Sequence, residues 1–233
     1  MTEPIFRDAP YQRDNPGVVL GVDERGIHLD RTVFYPRGGG QAGDSGALVL
    51  ADGRAIAIAD TVKGEGADIL HVPAPGQDLP AIGAPVTARI DWERRHRHMR
   101  FHTATHLLCA IVPHPTNGCS INAEYARLDF DMVEPLDKAH LEAELARLVA
   151  EAHDVRTVWI SDEELDAKPE LVRTMSVKPP RGVGRIRLLE IEGVDLQACG
   201  GTHVANTREI GSLRVVKIEK KSARSRRVVL EFA

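Results

Sequence analysis

Cysteine is scarce in this sequence: Cys109, Cys119 and Cys199 are the only three, an odd number at irregular spacing. That fits reduced thiols or a metal ligand better than a disulfide framework. Also missing is any apolar run near the ~20 residues that cross a membrane, so no membrane partner is expected. The opening residues, MTEPIFRDAPYQRDN, hold acids and prolines but no apolar stretch. They do not read as a secretory signal, and the expected location is the cytoplasm. A strong charge of one sign is absent as well. A net charge of -4 argues against nucleic-acid binding over the whole surface and leaves room only for local basic patches. There are no repeats and no low-complexity tract. What remains is an ordinary globular composition, 42% hydrophobic and 27% charged over 233 residues. That is enough for one large domain or two, with a core that needs no staple.

Residues 1–90 contain short alternating or β-branched runs (GVVLGV, GIHLDRTVFY, GALVLADG, AIAIADTV, DILHV, PVTARI) separated by Gly, Pro, Asp and Asn. Six such strands predict a small β-barrel, which leaves no exposed edge. The pattern changes at Asp91, a helix-capping residue, after which no Gly or Pro occurs until Pro113, room for about five turns. A second domain, 91–233, is predicted to be α+β with mainly antiparallel strands. Its expected elements are an alternating strand in AEYARLDFDM, a helix over 136–153, a strand VRTVWI, an acidic helix over 162–171, a strand RIRLLEI, and a last pair, SLRVVKIEK and RRVVLEF. Asp129 and Asp131 are expected on the exposed face of their strand, and Cys109 in the core.

The chemistry concentrates in two short motifs. In His102-Thr-Ala-Thr-His106 the histidines are four apart on a helix, so both imidazoles can face one ion. In Cys199-Gly-Gly-Thr-His203 two glycines permit a sharp turn that aims thiol and imidazole at one place. Together they offer three nitrogens and a sulfur, a donor set suited to tetrahedral Zn2+. By this reasoning a closed structural zinc and a catalytic one stand equal. The hydroxyls of Thr103, Thr105 and Thr202 beside the ligands tilt the balance to catalysis, since a sealed site does not require them.

HTATHLL with CGGTHV downstream resembles the editing domain of alanyl-tRNA synthetases and the free-standing alanyl-tRNA editing proteins. The likeness continues through NGCSINAEYARLDFDM and THVANTREIGSLRVVKIEKKSARSRRVVLEF, and so covers most of 91–233. Thr32-Val-Phe-Tyr-Pro-Arg-Gly-Gly-Gly-Gln-Ala-Gly-Asp44 resembles the glycine-rich stretch of the longer free-standing form. Two departures are Arg37, where family members often carry Glu or Gly, and Cys119, where a small residue is common.

The resemblance implies a zinc-dependent deacylase that removes serine, and glycine, from mischarged alanine tRNA, with tRNA as partner and no protein partner required. Other readings are a deacylase for another aminoacyl-tRNA, threonine tRNA included, and an RNA-binding module with a structural zinc. It further implies His102, His106, Cys199 and His203 as ligands, Thr32 as a hydroxyl partner of the substrate and Gln41 lining the same region. Four ligands fill a tetrahedron, so either one is exchangeable or the ion positions the substrate while water is activated otherwise. Gly38, Gly39 and Gly40 can bring backbone N–H groups close to a polyanion. Two basic clusters, Arg94, Arg95, Arg97 and Arg100, and Lys217, Lys220, Lys221, Arg224, Arg226 and Arg227, are candidates for phosphate contact. Within them Arg94, Arg97, Lys220, Lys221 and Arg226 are the expected tRNA contacts.

Overall fold

The computed structural model describes residues 1–175 and 185–233 and divides them into two compact units. The first comprises 1–38 and 42–96, the second 39–41 with 97–233.

The first unit holds β1 (Glu3–Pro4), β2 (Asp14–Asp23), β3 (Gly26–Leu29), β4 (Arg31–Thr32), β5 (Gly46–Leu50), β6 (Ala55–Lys63), β7 (Ile69–Pro73) and β8 (Pro85–Ile90). Six of these close into a barrel in the order β2-β3-β7-β6-β5-β8. The strands alternate buried and exposed residues, so that Val19, Ile27, Leu48, Ile56, Ile58, Val86 and Ala88 line one interior. The run expected to extend through 26–35 instead breaks after Leu29. Arg31 and Thr32 pair in parallel with Glu3 and Pro4. Beyond them, side chains take the backbone donors that a ladder would use: Val33 N–H donates to Asn15 Oδ1, Phe34 N–H to Thr32 Oγ1 and Tyr35 N–H to Asp44 Oδ2.

Helix α1 (Trp92–Ile111) starts where Asp91 accepts the Arg94 N–H at 3.1 Å. Residues 97–111 of it belong to the second unit. There follow β9 (Thr116–Ile121), β10 (Ala126–Asp131), α2 (Lys138–Ala150), β11 (Val155–Ile160), α3 (Asp162–Asp166), β12 (Ile186–Ile191), β13 (Asp195–Ala198), β14 (Leu213–Ser222) and β15 (Ser225–Phe232). They form two antiparallel sheets, β14-β15-β10-β9 and β11-β12-β13. Helix α2 is capped by Asp137 and buries Leu141, Leu145 and Leu148 along one stripe.

The acidic helix expected over 162–171 is shorter. A Ser161/Glu164 capping box starts it, but Pro169 restricts Lys168 to a non-helical backbone, and only a 3-10 turn follows at Pro169–Leu171. Asp129 is not on an open face: it is 14% exposed and forms a forked ion pair with Arg227 across β10 and β15. Cys109 is buried, and burial pushes its thiol up to about 12.

Candidate metal centre

His102 and His106 lie one turn apart on α1, and Cys199 and His203 flank the turn after β13. The four donor atoms all lie within 4.8 Å of one another. Cys199 Sγ is 3.2 Å from His203 Nε2 and 3.5 Å from His102 Nε2. Such separations match the edges of a tetrahedron whose bonds are about 2.0–2.3 Å long.

The tautomers can be worked out from the partners. Asp195 Oδ2 lies 3.1 Å from His106 Nδ1 and can only accept, so His106 carries its proton there. Thr103 Oγ1 donates to the Met99 carbonyl, one turn back, and therefore accepts from His203 Nδ1 at 3.2 Å. Gln41 Nε2 donates to Thr202 Oγ1, which turns Gln41 Oε1 to accept from His102 Nδ1 at 2.8 Å and from Thr202 N–H at 3.2 Å. All three imidazoles thus present an Nε2 lone pair toward Cys199. Metal-binding histidines have this arrangement, with the far nitrogen hydrogen-bonded to a carboxylate or another oxygen. The donor set and its orientation therefore fit an ion.

The electrostatics favour a thiolate among the imidazoles, and a cation, whether a metal ion or the proton on His106, to balance it. Burial opposes ionisation of Cys199, but His102, His203 and His106 outweigh it and hold the thiol well below its ordinary range. Burial lowers His106 and is overcome by Cys199 and Asp195, which carry it up to about 9. Asp195 is itself fixed by Gln197 Nε2 at 2.6 Å and by Arg173 at 3.5 Å. Asp195 does not stand out in the sequence as part of the site, because it meets His106 from far along the chain.

The two glycines of the Cys199 turn serve different ends. Gly201 is required for space, not for an unusual backbone angle: a Cβ there would lie 2.1 Å from His102 Cε1. Beside Gly200 there is open room, and Cys199 is half-buried while the three histidines are buried. Arg187 ties the turn down by donating to the carbonyls of Cys199 and Gly201 at 2.8 and 3.0 Å.

The threonine hydroxyls are all engaged. Thr103 and Thr202 hold His203 and Gln41, and Thr105 donates to the His102 carbonyl. They support the ligands, and their presence beside the site is no sign of catalysis.

Thr32 lies in the first unit, fully buried. Because His71 Nδ1 donates to the Ile27 carbonyl, His71 Nε2 accepts the Thr32 hydroxyl proton at 2.8 Å. Gly38 belongs to the first unit, Gly39 and Gly40 to the second. Gly40 has φ of 84°, and a Cβ on it would meet Cys119 Sγ at 2.7 Å.

The basic clusters are largely consumed by the protein itself. Arg95 is buried against Asp44, Arg97 donates to the Ala123 carbonyl, and Arg100 donates to the Ile210 carbonyl at 2.7 and 2.9 Å. Arg226, expected on a phosphate-binding face, is 8% exposed and donates to the carbonyls of Val133, Glu134, Ser222 and Ser225. A guanidinium so enclosed spends four of its five N–H donors holding residues 133–134 to 222–225. Lys220 and Lys221, near the β14–β15 turn, are exposed.

Comparison with known proteins shows which family the chain resembles in sequence. Residues 186–229 match the family described as the threonyl and alanyl tRNA synthetase second additional domain, and residues 10–94 match class II (A) tRNA synthetases. The chain is 34% identical to the alanyl-tRNA editing protein AlaX-M of Methanosarcina acetivorans, over 98% of each chain. It is 33% identical to the AlaX-M protein of Saccharolobus solfataricus, again over 98% of each. An alanine–tRNA ligase of Ignicoccus hospitalis is 35% identical over 94% of this chain and 24% of its own length.

Proposed function

Because this chain belongs to the family of alanyl-tRNA editing proteins, we propose that it hydrolyses the ester of wrongly charged alanine tRNA, with zinc in the His102, His106, Cys199 and His203 site. The carrying observation is that three imidazoles, each held at Nδ1, turn Nε2 toward one thiolate beside an open glycine. The ion, when bound, supplies positive charge that can polarise an ester carbonyl or acidify water. Asp195, Thr103 and Gln41 keep the ligands in the required tautomer, Arg187 keeps the Cys199 turn in place, and Gly201 leaves room for His102. Gln41 has both ends of its amide occupied, and we assign it to positioning His102 rather than to touching substrate.

Serine is the amino acid we assign, with glycine second. A pocket made for alanine rejects an added hydroxyl only weakly, by ~10²-fold, so a separate site that hydrogen-bonds the hydroxyl is needed. Thr32 is given that role through the family resemblance; its own proton goes to His71 and its oxygen accepts the Phe34 N–H, which leaves one lone pair for a substrate hydroxyl. For the tRNA backbone we keep Gly38, Gly39 and Gly40, Arg94 and Arg97, and above all Lys220 and Lys221, whose charge faces solvent. The same proposal gives 1–90 and 91–233 separate roles, a barrel with the glycine-rich motif and a zinc-containing editing domain.

The satisfied threonine hydroxyls favour a second reading, an RNA-binding module with a structural zinc. Deacylation of Ser-tRNA and Ala-tRNA, both on alanine tRNA, by zinc-loaded protein and by Cys199→Ala with metal content measured in parallel, separates the two. Loss of serine alone, abolished in the variant, supports editing. No turnover by folded, zinc-loaded protein leaves the binding module.

A further inference from the structure

Trp159 on β11 is exposed to 37%, which is unusual for so large an apolar ring. Its register places it directly opposite Arg187 on β12, and the row continues to Cys199, whose N–H donates to the Arg187 carbonyl at 3.2 Å. Trp159, Arg187 and Cys199 therefore form one row across the sheet. Strands are spaced about 4.8 Å apart, so the tryptophan backbone is roughly 10 Å from that of Cys199. Side chains in one row, and in rows two residues away, share a face of the sheet. This face carries Leu189 and Gln197 as well, both buried, and Gln197 reaches Asp195 behind His106, so the face is open at its Trp159 edge. The opposite face is closed by Val158, Ile160, Ile186 and Leu188.

Arg185 adds charge: its guanidinium lies over the Trp159 ring, 5.2 Å from the centroid. An exposed ring with a cation on one side, on an edge strand of the sheet that holds the metal turn, is the arrangement by which proteins bind single-stranded nucleic acid. There the ring stacks with a base, and arginine attracts the backbone. We propose that Trp159 and Arg185 form a stacking platform for a nucleobase of the single-stranded 3′ end of tRNA, next to the one whose ribose carries the ester. The occupant is specified by charge complementarity, since the Arg185 guanidinium stands over the ring and the end is a polyanion, and by distance, since the row leads to Cys199. This assignment rests on the proposed editing function for the choice of RNA.

The sequence has two tryptophans, so Trp92→Phe leaves Trp159 as the single reporter. Zinc-loaded Trp92→Phe protein is titrated with uncharged alanine tRNA and with a short single-stranded RNA ending in CCA, while a labelled RNA gives the affinity independently. Quenching of Trp159 emission is expected with both, along with a roughly tenfold weaker affinity in Trp159→Ala and near-parent affinity in Trp159→Phe. Binding by the labelled RNA without quenching, or Trp159→Ala that binds like its parent, overturns the platform. Failure of the editing reading is seen separately: quenching without deacylation of any aminoacyl-tRNA keeps the platform and removes the editing function. Deacylation with a silent Trp159 does the reverse, and absence of both binding and deacylation removes both.

Discussion

Gly201 and His102 are packed so closely that a methyl group on the glycine would lie 2.1 Å from the imidazole Cε1 and 2.3 Å from its Nδ1. The ring cannot yield without losing Gln41, which accepts from that same Nδ1. Gly201→Ala is therefore expected to displace His102 and lower zinc affinity at least tenfold, with a stability loss of about 1–3 kcal/mol from overpacking. Chelator competition and thermal unfolding measure the two effects, and a variant with parental zinc affinity contradicts the packing argument.

Asp195 acts on the site through His106. Asp195→Asn keeps the shape but replaces a charged acceptor with an amide, and it leaves Arg173 without its carboxylate. The expected result is about 10- to 100-fold weaker metal binding, with Co2+ absorption bands altered if cobalt is used as the probe. Unchanged affinity and an unchanged spectrum mean that the carboxylate does no more than fill space.

Removal of zinc separates chemistry from folding. The second unit has packing of its own, the Leu141, Leu145 and Leu148 stripe and the Leu165, Leu171, Ile186 and Leu188 cluster. A chelator should therefore abolish deacylation while far-UV circular dichroism changes little. Collapse of the spectrum together with activity indicates a structural ion.

His71 makes stability depend on pH. Burial pushes its pKa down from 6.5 to about 4, so it is neutral when folded. The unfolded chain takes up the proton first. Stability is thus complete above pH 6.5 and falls as pH drops toward 4, by about 3 kcal/mol in all. Urea unfolding at pH 7 and pH 4.5 should show the drop in the parent and a smaller one in His71→Gln, and equal drops contradict the assignment to His71.

Two basic positions should behave differently. Lys220→Ala with Lys221→Ala is expected to reduce the slope of log affinity for tRNA against log salt by about 2, with unchanged stability. Arg226→Ala, which strips hydrogen bonds from four carbonyls, should lower stability by a few kcal/mol, roughly 1–3, and leave the salt slope alone. Equal salt slopes in parent and lysine variant place the phosphate contacts elsewhere.

Patterns carried by neighbouring residues were open to reading from the chain alone. The six barrel strands follow from alternation between turn residues, α1 from Asp91 and the absence of Gly and Pro before Pro113, and the ligand set from two motifs whose internal spacing is four. Where a local rule was strained, it failed locally: Pro169 cut short the acidic helix, and Asn15, Thr32 and Asp44 took the backbone donors of 33–35. The direction of charges was not legible, because a run of arginines looks the same whether it faces water or chain carbonyls.

What the sequence by itself determined is thus the inventory, which elements form and which four side chains can meet an ion, because periodicity and ligand spacing are properties of short segments. Only the tertiary structure decided how that inventory is used. Gln41 against His102, Thr103 against His203 and Asp195 against His106 are pairs separated by 61, 100 and 89 residues. Such partners are chosen by packing, which brings together whatever can satisfy a buried donor or acceptor, and no local pattern encodes that choice.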